Sequence, residues 1–253
     1  MQRKLAGKIA LVTGGGGGIG SVTAHAYARE GAKVAVVDVN IEAARGVAEA
    51  INAAGGEAIG IATDVSKSDQ VAAMVEQVVA RFGRLDVAFN NAGIDLENEP
   101  LAMVTEETFD RLMSVNVKGV WLCMKYEILQ MLKQGGGAIV NTSSIGGLIG
   151  APRQPIYGTT KHAVLGMTKA AAVEYGRKGI RVNAVCPGII RTEMTERAIA
   201  RDPRRATYIE QAHPIGRMGE AADIANAVVF LSSDDSAFII GHSLAVDGGF
   251  TAR

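Results

Sequence analysis

The chain has 253 residues, and 26 Lys plus Arg balance 26 Asp plus Glu, so its formal charge is zero. That neutrality argues against nucleic acid or an anionic membrane as the main partner, and 48% hydrophobic with 21% charged residues describe a globular chain, not a disordered one. Glycine stands out at 31 residues without a fixed period, which excludes collagen and points to backbone positions that only glycine fits.

Residues 8–13 (KIALVT) are a short apolar run ending in glycine, the pattern of a strand buried on both faces. A helical pattern over 18–30 stops at Gly31. Then follow a strand at 33–38 (KVAVVD), a helix over 41–54, a strand at 58–63, a helix over 69–82 and a strand at 85–90 (LDVAFN). A long helical stretch spans 106–133, before a strand at 138–142 (AIVNT), a helix over 156–177 and a strand at 181–186 (RVNAVC). A helix at 221–232 and a strand at 243–246 close the chain. This alternation predicts an α/β architecture of parallel strands joined by right-handed crossovers, with helices on both sheet faces. No linker or charge block divides the chain, so residues 1–253 read as a single domain. Residues 190–219 hold Pro203, Pro214, many charges and no strand pattern, which reads as a lid over a site.

Cys123 and Cys186 are too few for a disulfide framework, and no CxxC or Cys/His cluster suggests a metal. A reducing, cytoplasmic location is the natural expectation. The apolar run at 9–12 is too short for a signal peptide, and no stretch approaches the ~18 apolar residues of a membrane span.

Thr13-Gly-Gly-Gly-Gly-Gly-Ile-Gly20 lies where the first strand hands over to the first helix. A diphosphate there needs close backbone approach, free N–H groups and the positive end of a helix, and side chains would block it. Five consecutive glycines satisfy both GxGxxG (Gly15, Gly17, Gly20) and TGxxxGxG (Thr13, Gly14, Gly18, Gly20). Asp38 ends the second strand 18 residues after Gly20, where a carboxylate can bind both ribose hydroxyls and repel a 2′-phosphate. No Lys or Arg lies in the glycine loop or directly after Asp38, which favours NAD over NADP. A Walker loop is excluded, since no Lys follows at the required place.

Tyr157-Gly-Thr-Thr-Lys161 puts a phenol and an ammonium on one helix face. A neighbouring cation favours the phenolate and is expected to lower the tyrosine pKa from about 10 toward the working range. Ser144 lies 13 residues earlier at a strand end, where it can hold a substrate oxygen. Ser143 beside it is read as a turn hydrogen-bonder.

Taken together, TGGGGGIG at 13–20, Asp64-Val65, NNAG at 90–93, Asn116-Val117, Ser144, Tyr157/Lys161 and PGIIRT at 187–192 resemble the short-chain dehydrogenase/reductase family over nearly the whole length. The resemblance implies a doubly wound Rossmann-like sheet of about seven strands. It implies reversible hydride transfer between NAD(H) and a secondary alcohol or ketone. Tyr157 would exchange the proton, Lys161 would also bond the nicotinamide ribose, and Ser144 would orient the substrate oxygen. Asn116 would help hold a relay water. The implied cofactor contacts are Gly14, Gly17, Gly18, Ile19, Gly20, Asp38, Asp64, Val65, Asn90, Asn91, Ala92, Gly93, Tyr157, Lys161, Pro187, Gly188, Ile190 and Thr192, with no metal. The family also implies a homotetramer, with residues 244–250 resembling its contact segment.

Met194, Ile199, Tyr208 and Ile209 offer apolar surface to the lid, and Arg197, Arg201, Arg204 and Arg205 suit either an anionic substrate or a solvated face. Arg153 and Gln154 are placed to line the pocket mouth, Cys186 to fill a buried strand end, and His213 to sit in an ordinary loop. A non-catalytic dinucleotide-binding regulator on the same fold is the alternative. A Ser-His-Asp hydrolase is disfavoured, because no GxSxG elbow surrounds Ser143 or Ser144.

Overall fold

The computed structural model describes residues 3–192, 195–196 and 212–252. Seven parallel strands form one sheet in the order β3-β2-β1-β4-β5-β6-β9. They are β1 (Ile9–Thr13), β2 (Lys33–Asp38), β3 (Ala58–Ala62), β4 (Val87–Asn90), β5 (Gly137–Thr142), β6 (Ile180–Pro187) and β9 (Ser243–Val246). The order reverses between β1 and β4, so their carboxyl ends open a crevice at the switch point. Both edges pair in fixed register, Thr13 with Val37 and Thr13 with Asn90.

Side-chain alternation along each strand divides the core in two. Ile9, Leu11, Ala35 and Val37 face one cluster, with Val71, Met74 and Val78 of α3 (Ser68–Phe82), Leu122 and Met131 of α5 (Val120–Gln134) and Val164 of α6 (Pro155–Tyr175). Ala10, Val12, Val34 and Val36 face the other, with Ala24 and Tyr27 of α1 (Gly18–Arg29), Ala44 and Ile51 of α2 (Ile41–Ala53), and Ile224 and Val228 of α7 (Ala221–Ser232). Two buried faces explain why β1 reads as an uninterrupted apolar run.

Three expectations need correction. The helical stretch at 106–133 is broken: α4 (Glu106–Leu112) passes into a π-helical segment, Met113–Gly119, before α5. There the Asn116 amide turns to the backbone of Ile94, and Gly119 presses on Val65, whose Cγ2 would lie 2.8 Å from a Cβ at that position. The fourth strand starts at Val87 instead of residue 85, because Leu85 N–H donates to Gln134 Oε1 at 3.1 Å and Asp86 turns its carboxylate to Ile9 N–H at 2.9 Å. Residues 190–219 do hold strands: β7 (Ile190–Arg191) pairs in parallel with β8 (Gly219–Glu220), tying the two ends of the segment together. Two-residue strands are too short for a period-2 signal. The other elements fall within about two residues of their expected ends.

Candidate active site

The glycine turn and the end of β4 are stitched directly together. Thr13 Oγ1 accepts from Asn91 N–H at 3.0 Å and Ala92 N–H at 3.2 Å. The Asn91 amide donates to the carbonyls of Thr13 and Gly14, each at 3.2 Å. Gly14 and Gly18 have φ of +62° and +52°, and a Cβ on Gly20 would sit 2.0 Å from Gly14 O, so the turn closes on itself only without side chains. Gly17 precedes α1 with extended backbone and no side-chain capping bond, and nothing lies within 4 Å of where its Cβ would be. Ile19 packs on the α1 side of the core. The first turn of α1 therefore meets a bare, open cradle, and these residues fit the diphosphate of a dinucleotide.

Asp38 is hydrogen-bonded at both oxygens, from Gly16 N–H to Oδ2 and Asn40 N–H to Oδ1, each 3.0 Å. Its carboxylate is thereby aimed along the glycine turn. Val39 is exposed and the Asn40 side chain caps α2, so neither neighbour brings a positive charge. Asp64 Oδ1 accepts from Ser66 N–H and Oγ at 2.9 and 2.7 Å. Burial works against the Asp64 carboxylate, but the Ser66 bonds with Lys67 and Arg111 hold its pKa below the ordinary value. Val65 beside it is buried.

Beyond β6, Gly188 N–H donates to Val246 O at 3.0 Å, and a Cβ there would lie 2.8 Å from Asp247 Cα. Pro187 pairs in register with Val246, and Ile190 is buried. Thr192 comes back to the glycine turn, its Cγ2 3.6 Å from the Cβ position of Gly18. The glycine turn and the segments after β2, β4 and β6 thus converge at one end of the sheet. Met194, Arg197, Ile199, Arg201, Pro203, Arg204, Arg205, Tyr208 and Ile209 lie outside the described residues. His213 is buried, accepts from Ile189 N–H at 3.3 Å and meets the Phe250 ring in a tilted contact at 5.5 Å.

Ser144, Tyr157 and Lys161 meet where β5 ends. Ser144 Oγ accepts from Gly146 N–H at 3.1 Å, and a Cβ on Gly146 would lie 3.6 Å from that Oγ and 3.8 Å from Tyr157 Cε1, so the hydroxyl and the ring flank the same space. Lys161 Nζ lies 5.4 Å from the Tyr157 ring centroid and donates to Thr142 O at 3.1 Å. Ser143 Oγ donates to Lys161 O at 2.9 Å, which fixes the helix to the strand. A Cβ on Gly93 would come 3.3 Å from Asn116 Oδ1 and 3.5 Å from Lys161 Nζ, so the end of β4 and α6 share this wall. Asn116 Nδ2 donates to Ile94 O at 2.8 Å and Thr160 Oγ1 at 3.3 Å, while its Oδ1 accepts from Ile94 N–H at 2.8 Å. Its amide is engaged on both sides, so a relay water there would have to use the backbone that the π-helical turn loosens.

The expected drop in the Tyr157 pKa is not found. Burial first, and the Asp95 carboxylate second, push it up to about 12, against a smaller opposing effect of Ser144. Lys161 reaches past the ring to Thr142, and burial lowers its own pKa to about 8, opposed by Asp95 and Cys186. Cys186 is fully buried, as a packing residue would be.

Sequence reasoning missed Asp95 and Glu97. Gln154 Nε2 is hydrogen-bonded to Asp95 Oδ2, and Glu97 reaches the backbone at the start of α6. Arg153, expected at the pocket mouth, is bonded to Asn98. Nothing local marks these acids, because their partners lie nearly 60 residues away.

A family model described as enoyl-(acyl carrier protein) reductase matches residues 14–251. A 2,5-dichloro-2,5-cyclohexadiene-1,4-diol dehydrogenase of Sphingobium indicum is 47% identical, over 98% of both chains. A cyclohexanol dehydrogenase of an Acinetobacter species is 42% identical, over 100% of this chain and 98% of that one. The crystal structure of levodione reductase superimposes with a TM-score of 0.95 at 41% identity, covering 98% of this chain and 99% of that one. A candidate NAD(P)-dependent gluconate 5-dehydrogenase from Beutenbergia cavernae, solved with NADP at low occupancy, matches over 100% of both chains with a TM-score of 0.94 at 36% identity.

Proposed function

The chain belongs to the short-chain dehydrogenase/reductase family, whose members here are oxidoreductases of alcohols and ketones, and from that premise we propose an NAD-dependent dehydrogenase of a secondary alcohol on a six-membered carbocycle. The ring preference rests on the relatives named for a cyclohexadienediol and for cyclohexanol. The preference for NAD rests on Asp38, fixed by two backbone bonds with no cation following it. The observation that carries the chemistry is the Tyr157 ring with Lys161 Nζ 5.4 Å from its centroid and the Ser144 hydroxyl flanking the same space at Gly146, at the sheet end that also holds the bare end of α1.

The glycine turn, Asp38, Asp64, Val65, Asn91, Ala92, Gly93, Lys161 and the 187–192 segment would hold a dinucleotide, which when bound would supply the hydride acceptor or donor. Ser144 and Tyr157 hold the substrate oxygen between two hydroxyls. In ketone reduction, the phenol of Tyr157 gives its proton to that oxygen. Its raised pKa keeps the phenol protonated for this step. In alcohol oxidation Tyr157 takes the proton instead, and the Lys161 ammonium is the nearby positive charge that favours the phenolate. The backbone of Asn116 would bind a water that passes the proton outward. Residues 190–219 act as the lid of a single catalytic domain. The free, buried cysteines suit a reducing cytoplasm, and among the described residues no helix is long and apolar enough to cross a membrane. A homotetramer would cover the exposed Trp121 and Leu129 of α5, Val173 of α6, and Phe238 and Ile240 before β9.

Purified protein given cyclohexanol or a cyclohexanediol should produce NADH absorbance faster than NADPH absorbance at equal dinucleotide concentration. Equal rates or the reverse order would remove the NAD assignment, and no turnover of any carbocyclic alcohol would remove the substrate class. Tyr157→Phe should retain dinucleotide binding and lose about a thousandfold in kcat. Turnover near wild type in that variant would overturn the acid/base role.

A further inference from the structure

Helix α6 begins at Pro155 and carries Tyr157 in its first turn. Its N-cap residue Gln154 makes no side-chain capping bond. The acceptor comes from far away: Glu97 Oε1 takes Ile156 N–H at 3.1 Å, and Glu97 Oε2 takes Tyr157 N–H at 2.5 Å. Glu97 is only 9% exposed. The loop that bears it is tied to the same stretch at further points. Glu97 N–H donates to Asp95 Oδ1 at 3.1 Å, and Gln154 Nε2 is bonded to Asp95 Oδ2. Arg153 donates to Asn98 Oδ1 at 3.2 Å and Asn98 O at 2.6 Å, while Glu99 N–H donates back to Arg153 O at 3.2 Å. Arg153 has φ +66°, the one non-glycine residue with positive φ among the described residues. Such a conformation persists only where its surroundings over-determine it. At the root of the loop, Ile94 is held in both directions by Asn116 at 2.8 Å.

We propose that Glu97 is a positioning residue for the reaction: by accepting from the backbone of Ile156 and Tyr157 it clasps the first turn of α6 to the loop after β4 and holds the phenol in register with Ser144 and Lys161. The proposal rests on Tyr157 being the acid/base group named above. A carboxylate at a helix N-terminus makes charge-assisted bonds with the favourable sign of the dipole. Two oxygens on two successive amides fix rotation as well as distance. A local Ser or Asp cap would satisfy the same amides, yet it would leave α6 independent of β4. Glu97 instead joins Tyr157 to the Asn91–Gly93 wall through a loop of a few residues. Reaction rates are steep in this geometry, since a displacement of about 1 Å can cost about a hundredfold.

The test compares wild type, Glu97→Ala and Glu97→Gln in full-length protein, measuring kcat, alcohol KM, dinucleotide Kd and amide hydrogen exchange. The alanine variant should lose about 30-fold in kcat while KM and Kd move by no more than about threefold. The glutamine variant keeps one acceptor and should recover kcat to within about fivefold of wild type. Exchange should quicken at Ile156 and Tyr157 and stay unchanged in the rest of α6. An alanine variant with wild-type kcat, or one in which kcat, KM and Kd worsen together without rescue by glutamine, would overturn the proposal. So would unchanged exchange at those two amides. If the alanine variant fails to fold, exchange in the glutamine variant decides: faster exchange at Ile156 and Tyr157 with the rest of α6 unchanged supports the clasp, and unchanged exchange at those two amides overturns it. A wild type without dinucleotide-dependent turnover would count against the proposed function itself, and exchange at the two amides would still read the clasp.

Discussion

Two helix N-termini, those of α1 and α6, face the same crevice and are finished in opposite ways. Both expose backbone N–H groups that the helix itself cannot satisfy. At α1 the acceptor is withheld: Gly17 offers no side chain, and its neighbourhood is empty. At α6 the acceptor is built in, a buried carboxylate supplied by a distant loop. An open end can receive an anionic ligand, whereas a closed end becomes a fixed mount for the side chains it carries. The lesson is that a helix terminus has no function of its own, and whoever supplies the acceptor decides what it does.

The sharpest way to break the contrast is to close the open end. Gly17 is exposed, has φ −166°, and has nothing within 4 Å of its Cβ position, so Gly17→Asp fits without strain. The new carboxylate would cap α1 and occupy the diphosphate position. Dinucleotide affinity should fall about 100-fold or more, while stability stays level or rises by up to ~1 kcal/mol. Calorimetric titration and thermal melting measure the two. Unchanged affinity would show that the diphosphate does not rest on this helix. Gly17→Ala separates bulk from charge.

A smaller effect is expected at the far side of the same turn. Asp38→Ala with Val39→Arg removes the carboxylate and places a cation beside the ribose position. The kcat/KM ratio of NAD to NADP should fall by about 10- to 100-fold. A constant ratio would mean that Asp38 serves only to shape the glycine turn, through its bonds to Gly16 and Asn40.

The same contrast explains what was legible. The parallel sheet, the crevice and the glycine turn follow from signals a few residues long: apolar runs, glycine punctuation, an acid at a strand end. Ser144, Tyr157 and Lys161 sit on one strand end and one helix turn, and they meet as expected. Glu97 was invisible because the run Asp95-Leu-Glu-Asn-Glu99 reads as a solvated acidic turn until the fold brings α6 to it. Glu127 escaped for a similar reason. It lies mid-helix in α5 but is fully buried, bonded to Asn90 Nδ2 at 2.9 Å, and burial raises its pKa to about 8 despite that bond. The π-helical turn at Asn116 is likewise a tertiary event, since helical periodicity runs straight through it.

The smallest predicted effect concerns the charge beside the closed end. Asp95 accepts from Gln154 and Glu97 N–H, and burial raises its own pKa against the opposing effect of those two bonds and of Lys161, with the Glu97 charge adding a smaller rise. When ionised, it disfavours the Tyr157 phenolate and favours the Lys161 ammonium. Asp95→Asn keeps one oxygen for the Glu97 N–H, turns an NH2 toward Gln154, whose amide oxygen can accept it after a flip, and removes the charge, so the Tyr157 pKa should fall. Alcohol oxidation needs the phenolate, and its acid limb should therefore move to lower pH by up to about one unit, raising the rate severalfold on that limb. Ketone reduction needs the phenol, and its alkaline limb should move the same way, lowering the rate there. Lys161 also loses support, which bounds the gain at high pH, while Ser144 and Cys186 still act on the pair. Rates in both directions across pH 6–10 would measure the two limbs. Limbs that stay in place would show that Asp95 acts on Tyr157 only by holding the loop, and limbs that move apart would show that one group does not serve both directions.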